Sequence, residues 1–509
     1  MKKSLILITG ATGYIGGRLV LRLLKGGYRV RAMARSMHKI QGRSWKDYPN
    51  LELVKADSHD PKSLEKALKD CDVAYYLVHS MSEDHKDFAD ADRRAAKYFI
   101  SLSDKHGLKR IIYLGGLGGN EPNTSLHLKS RQEVEKILKS GRVPVTVFRS
   151  AHIIGSGSAS FEMLRYIAER MPFFIIPKSV IDTKLQPICI RNVLIYLEEC
   201  LEKKETIGQT YDIGGPEILT YRQLFEIYAE QAGLQKPLFI HSPTPPFKLG
   251  TKIAHTIAKL LLPISPSISQ PLLDGLGVEI ITKDDKIKKI IPQDLVRCCS
   301  SIDRAIQKDS LKIVDTRWTD AGDLHSPEWM YAGDAAYSGG TLLQGGYKIT
   351  LACEPGEIWS LISRIGGSNG WYYGDALWQI RGLMDQIAGG VGLRRGRRHP
   401  EQLYVGDALD FWRVLDVKPP FKLILLAEMK LPGEALLTFE LVPDEKGTEL
   451  RLGTRFHPTG LYGILYWYSL LPFHNLLFGG LLNELSRRVG KRILYGPEKY
   501  RPGPLILDH

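Results

Sequence analysis

Thr9-Gly10-Ala11-Thr12-Gly13-Tyr14-Ile15-Gly16-Gly17 decides how this chain is read. The apolar run Leu5–Thr9 before it predicts a short buried strand. Arg18–Lys25 after it predicts a helix, stopped by Gly26-Gly27. Each glycine of such a strand–turn–helix has its own task. Gly10 permits the tight turn, Gly13 lets backbone approach a diphosphate, and Gly16 lets the helix pack close to the strand. The helix N-terminus then turns unbonded N–H groups toward the phosphates. A glycine triplet alone is weak evidence; the strand before it and the helix after it give this one its weight.

Outward from the loop, strand and helix alternate. Strands are expected at Tyr28–Ala34, Leu51–Lys55, Val73–Val78, Arg110–Leu114 and Val145–Arg149, apolar enough to be buried on both faces. Their C-terminal ends carry the candidate ligand residues. The second ends in Ala34-Arg35-Ser36. An acidic residue there would hold both ribose hydroxyls of NAD, whereas Arg can pair with a 2′-phosphate. Arg35 and Ser36 therefore point to NADP, with NAD as the alternative; the plain reading is a solvated Arg at a strand end. Asp57 and Ser58 follow the third strand, placed to meet an adenine edge, and Leu77, Val78 and His79 end the fourth, where the rings would pass. Thr12, Tyr14 and Ile15 complete the cofactor set with Gly10, Gly13 and Gly16.

These motifs, with Ile111-Ile112-Tyr113-Leu114-Gly115-Gly116-Leu117-Gly118, Val147-Phe148-Arg149 and Tyr211-Asp212-Ile213-Gly214-Gly215, resemble the atypical short-chain dehydrogenase/reductases. The NmrA-like branch is closest, along with the nucleotide-binding accessory subunit of respiratory complex I. The resemblance covers about residues 3–305. It implies a Rossmann domain, a doubly wound parallel sheet of the α/β class, holding NAD(P).

Dehydrogenases of that group use a Ser or Thr and a Tyr-x-x-x-Lys pair, in which Tyr protonates a carbonyl and Lys lowers its pKa. This sequence departs at every position. The strand that should end in Ser-Ser ends in Gly115-Gly116, and aligning the following helix on Glu135 puts His127 in the Tyr position and Arg131 in the Lys position. His127 can give a proton and Arg131 can hold a ribose, but Arg keeps its charge and differs from Lys in donor shape. Ser125 or Lys129 are substitutes, and a pocket merely lined by His127 and Arg131 is an equal reading. Binding is thus expected more firmly than turnover.

The 509 residues call for two or three domains. We expect an NAD(P)-binding domain over residues 1–310, a second domain over 325–495 and a loose tail over 496–509. An apolar fraction of 43% and a charged fraction of 25% suit a soluble globular protein. No signal peptide is read at the start. Six Cys without CxxC or His at ligand spacing suit reduced thiols in the cytoplasm and argue against a metal site. The net charge of +13 admits nucleic acid, an anionic membrane face or an acidic ligand. No nucleic-acid motif accompanies it, so nucleic acid is not expected.

From Asp334 to Arg455 the texture turns to antiparallel strands, expected at Gly345–Ala352, Tyr404–Val417, Phe421–Met429, Glu434–Val442 and Glu449–Phe456, with a helix near Glu357–Ile365. Asn369-Gly370-Trp371-Tyr372-Tyr373-Gly374-Asp375, Val405-Gly406-Asp407-Ala408-Leu409-Asp410-Phe411-Trp412-Arg413 and Tyr466-Trp467-Tyr468-Ser469-Leu470-Leu471-Pro472-Phe473-His474 resemble an α+β helix-grip (START-like, polyketide-cyclase-like) domain of unknown function. That resemblance implies a cavity for a small apolar molecule or lipid, with Trp371, Tyr373, Trp378, Trp412, Tyr466 and Trp467 as wall candidates against an ordinary aromatic core. Arg394-Arg395-Gly396-Arg397-Arg398 is either an anion site or a solvated basic turn. Residues 460–482 carry no charge and have the length of a membrane span, though Pro472, His474 and Asn475 favour a domain helix or attachment to a surface. Lys248, Lys252, His255 and Lys259 form a basic face opposite apolar residues, which suits anionic lipid or plain exposure. Peripheral contact with the inner face of a membrane is therefore an expectation; oligomeric state is not addressed by the sequence.

Overall fold

The computed structural model describes residues 4–40, 43–78, 88–118, 126–170, 173–176, 178–241, 277–310, 316, 342–388 and 390–503. His79, Ser125 and the basic face at Lys248, Lys252, His255 and Lys259 lie outside these. The chain divides into two compact units, Met1–Asp323 and Leu324–His509.

In the first unit β1 (Leu5–Ile8) lies between β2 (Arg29–Ala34) and β4 (Val73–Tyr76), with β3 (Leu51–Lys55) beyond β2. On the other side β5 (Arg110–Gly116), β6 (Val145–Ser150) and Thr210–Ile213 continue the sheet, and every pairing is parallel. The order Thr210–Ile213, β6, β5, β4, β1, β2, β3 reverses between β1 and β4. Alternation along β1 explains the two layers. Ile6 and Ile8 enter one apolar cluster with Leu19, Val20 and Leu23 of α1 (Tyr14–Lys25). Leu5 and Leu7 enter the opposite one. There they meet Leu64 of α2 (Pro61–Leu68), Phe99 of α3 (Phe88–Lys105) and Leu138 of α4 (Leu126–Lys139). A strand covered on both faces has no polar side, and β1 reads LILI accordingly. The start of α2 is fixed locally: Asp60 accepts hydrogen bonds from the Lys62 and Ser63 amides, with Pro61 in the first helical turn. This unit is the Rossmann-like parallel sheet expected from the glycine loop.

The second unit is an antiparallel seven-stranded sheet in the order Ala408–Leu409, Trp412–Lys418, Lys422–Ala427, Gly433–Asp444, Gly447–Pro458, Leu343–Leu351, Ile493–Tyr500. The helix Gly460–Val489 buries Leu477, Phe478, Leu481, Leu482 and Leu485 in one apolar cluster with Ile349, Leu450 and Leu452 of the sheet. Two expectations are corrected. The strand expected over Tyr404–Val417 is a hairpin, because Asp410 adopts φ 55° and turns the chain between Leu409 and Trp412. Part of the expected tail is ordered, since Ile493–Tyr500 pairs with Leu343–Leu351. Pro497 is tolerated there because this is an edge strand with an irregular register. Among the described residues no helix is long and apolar enough to cross a membrane.

Candidate functional site

The glycine loop lies at the C-terminal end of β1, where the sheet order reverses, and there open parallel sheets hold ligands. Gly10 has φ +67°, and a Cβ on it would stand 2.8 Å from the Leu77 carbonyl oxygen. On Gly16 a Cβ would stand 2.2 Å from the carbonyl oxygen of Gly10, which seats the first turn of α1 directly on the loop. Gly13 is different: its φ is −76°, and its Cβ would meet only Gly10, at 3.3 Å. Gly13 is also the cap of α1, which has no side-chain cap and no acidic residue in its first turn. The helix therefore presents its leading amides and positive end to an anion. A diphosphate fits this cradle.

Neighbouring strands set its walls. Thr9 Oγ1 donates to the Tyr75 carbonyl at 3.0 Å and accepts from the Leu77 amide at 2.9 Å, tying β1 to the end of β4. Tyr14 has its ring in the core, so what it offers the loop is backbone; Ile15 is half-buried against the same core. Arg35 and Ser36 are half-buried just past β2. Ser58 is buried. At Asp57 the His59 ring nitrogen lies 3.1 Å and its amide 2.8 Å from Oδ1. The hydrogen bond to the His59 side chain, together with the Arg35 charge, holds the carboxyl down to about 2. Arg35 and Asp57 thus act on each other at the edge of the loop. A residue that the sequence reading missed holds the loop itself: buried Arg43 donates to the Thr12 carbonyl at 2.6 Å. A single Arg in a connection of no clear periodicity gave no signal of this.

His127 and Arg131 lie one turn apart on α4. Arg131 is buried, and its Nη1 lies 3.5 Å from the Val78 carbonyl oxygen, so it reaches the end of β4. The Tyr113 hydroxyl donates to the Arg131 carbonyl at 3.1 Å and fixes that turn of the helix to β5. Burial, helped by the Arg131 charge, pushes His127 down to about 3. At neutral pH the ring is uncharged, so giving up its remaining N–H proton would leave an imidazolate, which makes it a weak proton donor. At Gly116 a Cβ would stand 2.8 Å from Leu128 Cδ2, so α4 packs close against the end of β5.

In the second unit three of the six wall candidates, Trp412, Tyr466 and Trp467, line a cavity of about 30 Å³. Arg381 and His474, neither foreseen, line it as well. Trp371, Tyr373 and Trp378 instead belong to the core, where Trp371 Nε1 donates to Asp410 at 2.9 Å and the Trp371 and Trp378 rings lie 5.0 Å apart. The arginine run is used internally: Arg395 pairs with Glu428, Arg398 with Asp407, and Arg397 donates to the carbonyls of Ser363, Ile365 and His399. The Arg394 side chain lies outside the description. All six Cys are free and five are buried; burial pushes the Cys298 thiol up to about 12, which leaves it inert. No cluster of metal-ligating groups occurs among the described residues.

Residues 10–155 match the family model described as NAD(P)H-binding, and residues 338–481 match one described as a protein of unknown function (DUF2867). The N-terminal unit carries an NAD(P)H-binding domain. The chain is 24% identical over 293 residues to the Arabidopsis thaliana protein "NADH dehydrogenase [ubiquinone] 1 alpha subcomplex subunit 9, mitochondrial", covering 55% of this chain and 71% of that protein. It is 24% identical over 283 residues to the same plant's "Divinyl chlorophyllide a 8-vinyl-reductase, chloroplastic", covering 52% and 65%. A solved structure, the Citrobacter sp. triphenylmethane reductase complexed with NADP(H), matches 59% of this chain and 99% of that chain at 21% identity and a TM-score of 0.48. The chain thus spans under three quarters of the length of either curated relative. The two curated matches show that about half of the chain is similar to a protein named as a reductase and to one named as an NADH dehydrogenase subunit.

Proposed function

We propose that the chain is an NADP-dependent oxidoreductase acting on an apolar substrate held by its C-terminal unit. The observation that carries the cofactor half is Arg35, which stands just past β2 where an NAD-selecting acidic residue would otherwise be and whose charge acts on Asp57. Relatives named as reductases support the redox half. The apolar character of the substrate rests on the aromatic cavity of the second unit. Purified protein incubated with NADPH and a panel of carbonyls and quinones tests the reading. NADPH oxidation that disappears in His127→Ala supports it, and binding without turnover across the panel removes the catalytic half.

One observation favours a second reading, a non-catalytic NADP-binding sensor or scaffold. The Ser-Tyr-Lys set is replaced by Gly116, His127 and Arg131, and His127 is uncharged at neutral pH. We also infer peripheral attachment to the cytoplasmic face of a membrane, supported by Leu461, Tyr462, Leu465 and Tyr468 standing exposed on the long helix. Full recovery in the soluble fraction at low salt counts against that attachment.

A further inference from the structure

The cavity of the second unit is lined mainly by Leu431, Ala435, Leu437, Phe456, Trp467 and Phe478. Into this apolar wall come a few polar groups, and two of them, Trp412 Nε1 and His474 Nδ1, are buried without a partner. Arg381 donates from Nη2 to the Tyr466 hydroxyl at 3.1 Å and lies with Nε 3.3 Å from the Met429 sulfur. It has no carboxylate partner among the described residues. The acidic groups in the neighbourhood are already committed. Asp385 accepts from the Gly392 and Lys430 amides, each at 2.7 Å, and Glu428 pairs with Arg395 and Arg413. The Trp412 indole N–H is buried and meets no acceptor, and His474 Nδ1 is likewise without a partner. Burial pushes His474 down to about 4, so its ring adds no charge at neutral pH.

A guanidinium facing an apolar cavity costs free energy unless an anion joins it, and an indole N–H without an acceptor adds a smaller cost. Three donors, Arg381, Trp412 Nε1 and the Tyr466 hydroxyl, converge on a space with room for roughly one or two waters. That is the size of a carboxylate head, not of a whole lipid. One cation suits a monoanion; a phosphate dianion would call for a second.

We propose that this cavity receives the carboxylate head of an amphipathic monocarboxylic acid, bound by Arg381 and Trp412, with the apolar tail leaving toward solvent. The proposal rests on the preceding reading only in calling that acid a substrate; the binding site stands apart from nucleotide chemistry.

Calorimetric titration of the full chain with octanoate, 1-octanol and octyl phosphate tests it. The expected result is one octanoate per chain, bound at least about tenfold more tightly than either of the others. Arg381→Met should remove that preference and leave 1-octanol unchanged. Trp412→Phe, which deletes the N–H and keeps an aromatic ring, should weaken octanoate several-fold, and the circular dichroism of both variants shows that they are folded. Equal binding of octanoate and 1-octanol, no binding of octanoate, or an unchanged preference in folded Arg381→Met overturns the proposal. NADPH titrated into the same samples separates the two readings: octanoate binding lost with NADPH binding kept sinks only this one, and the reverse sinks only the cofactor reading.

Discussion

Gly16 stands so close to Gly10 that a Cβ on it would lie 2.2 Å from the Gly10 carbonyl oxygen, while the same atom on Gly13 would find 3.3 Å. The two glycines of one motif therefore do different work, and substitution should separate them. Gly16→Ala forces the first turn of α1 off the loop and should cost about 1–3 kcal/mol of stability as well as nucleotide binding. Gly13→Ala asks the Gly10 carbonyl to give only a few tenths of an ångström, far less than Gly16→Ala does, but places a methyl group where a diphosphate would approach. We expect it to melt within a few degrees of the wild type and still lose most NADPH affinity. Equal melting temperatures for Gly16→Ala and the wild type would contradict this division.

Arg35 and Arg43 should separate in the same way. Arg35→Ala removes the charge placed for a 2′-phosphate, so NADPH binding should fall by about tenfold or more while NADH binding changes little, in line with ~1.5–3 kcal/mol for a charge-assisted hydrogen bond. Arg43 holds the Thr12 carbonyl of the loop itself. Arg43→Met should therefore weaken both dinucleotides together. Fluorescence titration with each dinucleotide reads both outcomes, and equal loss of NADPH and NADH in Arg35→Ala would overturn the NADP preference.

Burial holds His127 down to about 3 and His152 down to about 4, against an ordinary value of 6.5. A histidine whose folded pKa is depressed stabilises the fold above its unfolded pKa, because the unfolded chain binds the proton more readily. That stability is fully present above about pH 6.5 and is lost as pH falls toward 4. Melting followed from pH 7.5 to 4.5 should fall steadily, and His152→Leu should flatten the decline. A melting temperature independent of pH across this window would show that neither ring is buried in its neutral form.

Glu428 answers a charge question in the second unit. Arg395 and Arg413, with side chains 7% and 8% exposed, both pair with it, and although burial opposes ionisation the two guanidinium groups bring its carboxyl down to about 2. Its contribution is present above about pH 4.5 and disappears as pH falls toward 2. Glu428→Gln leaves two buried cations facing a neutral amide and should destabilise this unit by roughly 3–5 kcal/mol at neutral pH. Urea unfolding followed by tryptophan fluorescence, to which Trp371, Trp378 and Trp412 contribute, measures it.

The strands of the first unit were legible because a parallel sheet covered on both faces leaves apolar runs between turns, and β1 to β6 fall where those runs fall. The glycine loop was legible because its residues act through backbone, which sequence spacing fixes. Arg43, Arg381 and His474 were not. Arg43 and Arg381 reach their sites through tertiary packing from segments with no motif signal, and His474, although inside a quoted motif, faces the cavity through packing that the motif does not spell out. The arginine run at 394–398 misled for the opposite reason: its charges look solvated in sequence, yet Arg395, Arg397 and Arg398 are spent on Glu428, main-chain carbonyls and Asp407. Asp410 broke an expected strand because a left-handed residue other than Gly carries little mark in a sequence.

The claim beneath all of this is that the Gly10–Gly16 loop binds a nicotinamide dinucleotide, with the 2′-phosphate selected beside it. Isothermal titration of the purified chain with NADPH and with NADH tests it most directly. The account predicts one NADPH per chain, bound about tenfold or more tightly than NADH; heat with neither dinucleotide would contradict it.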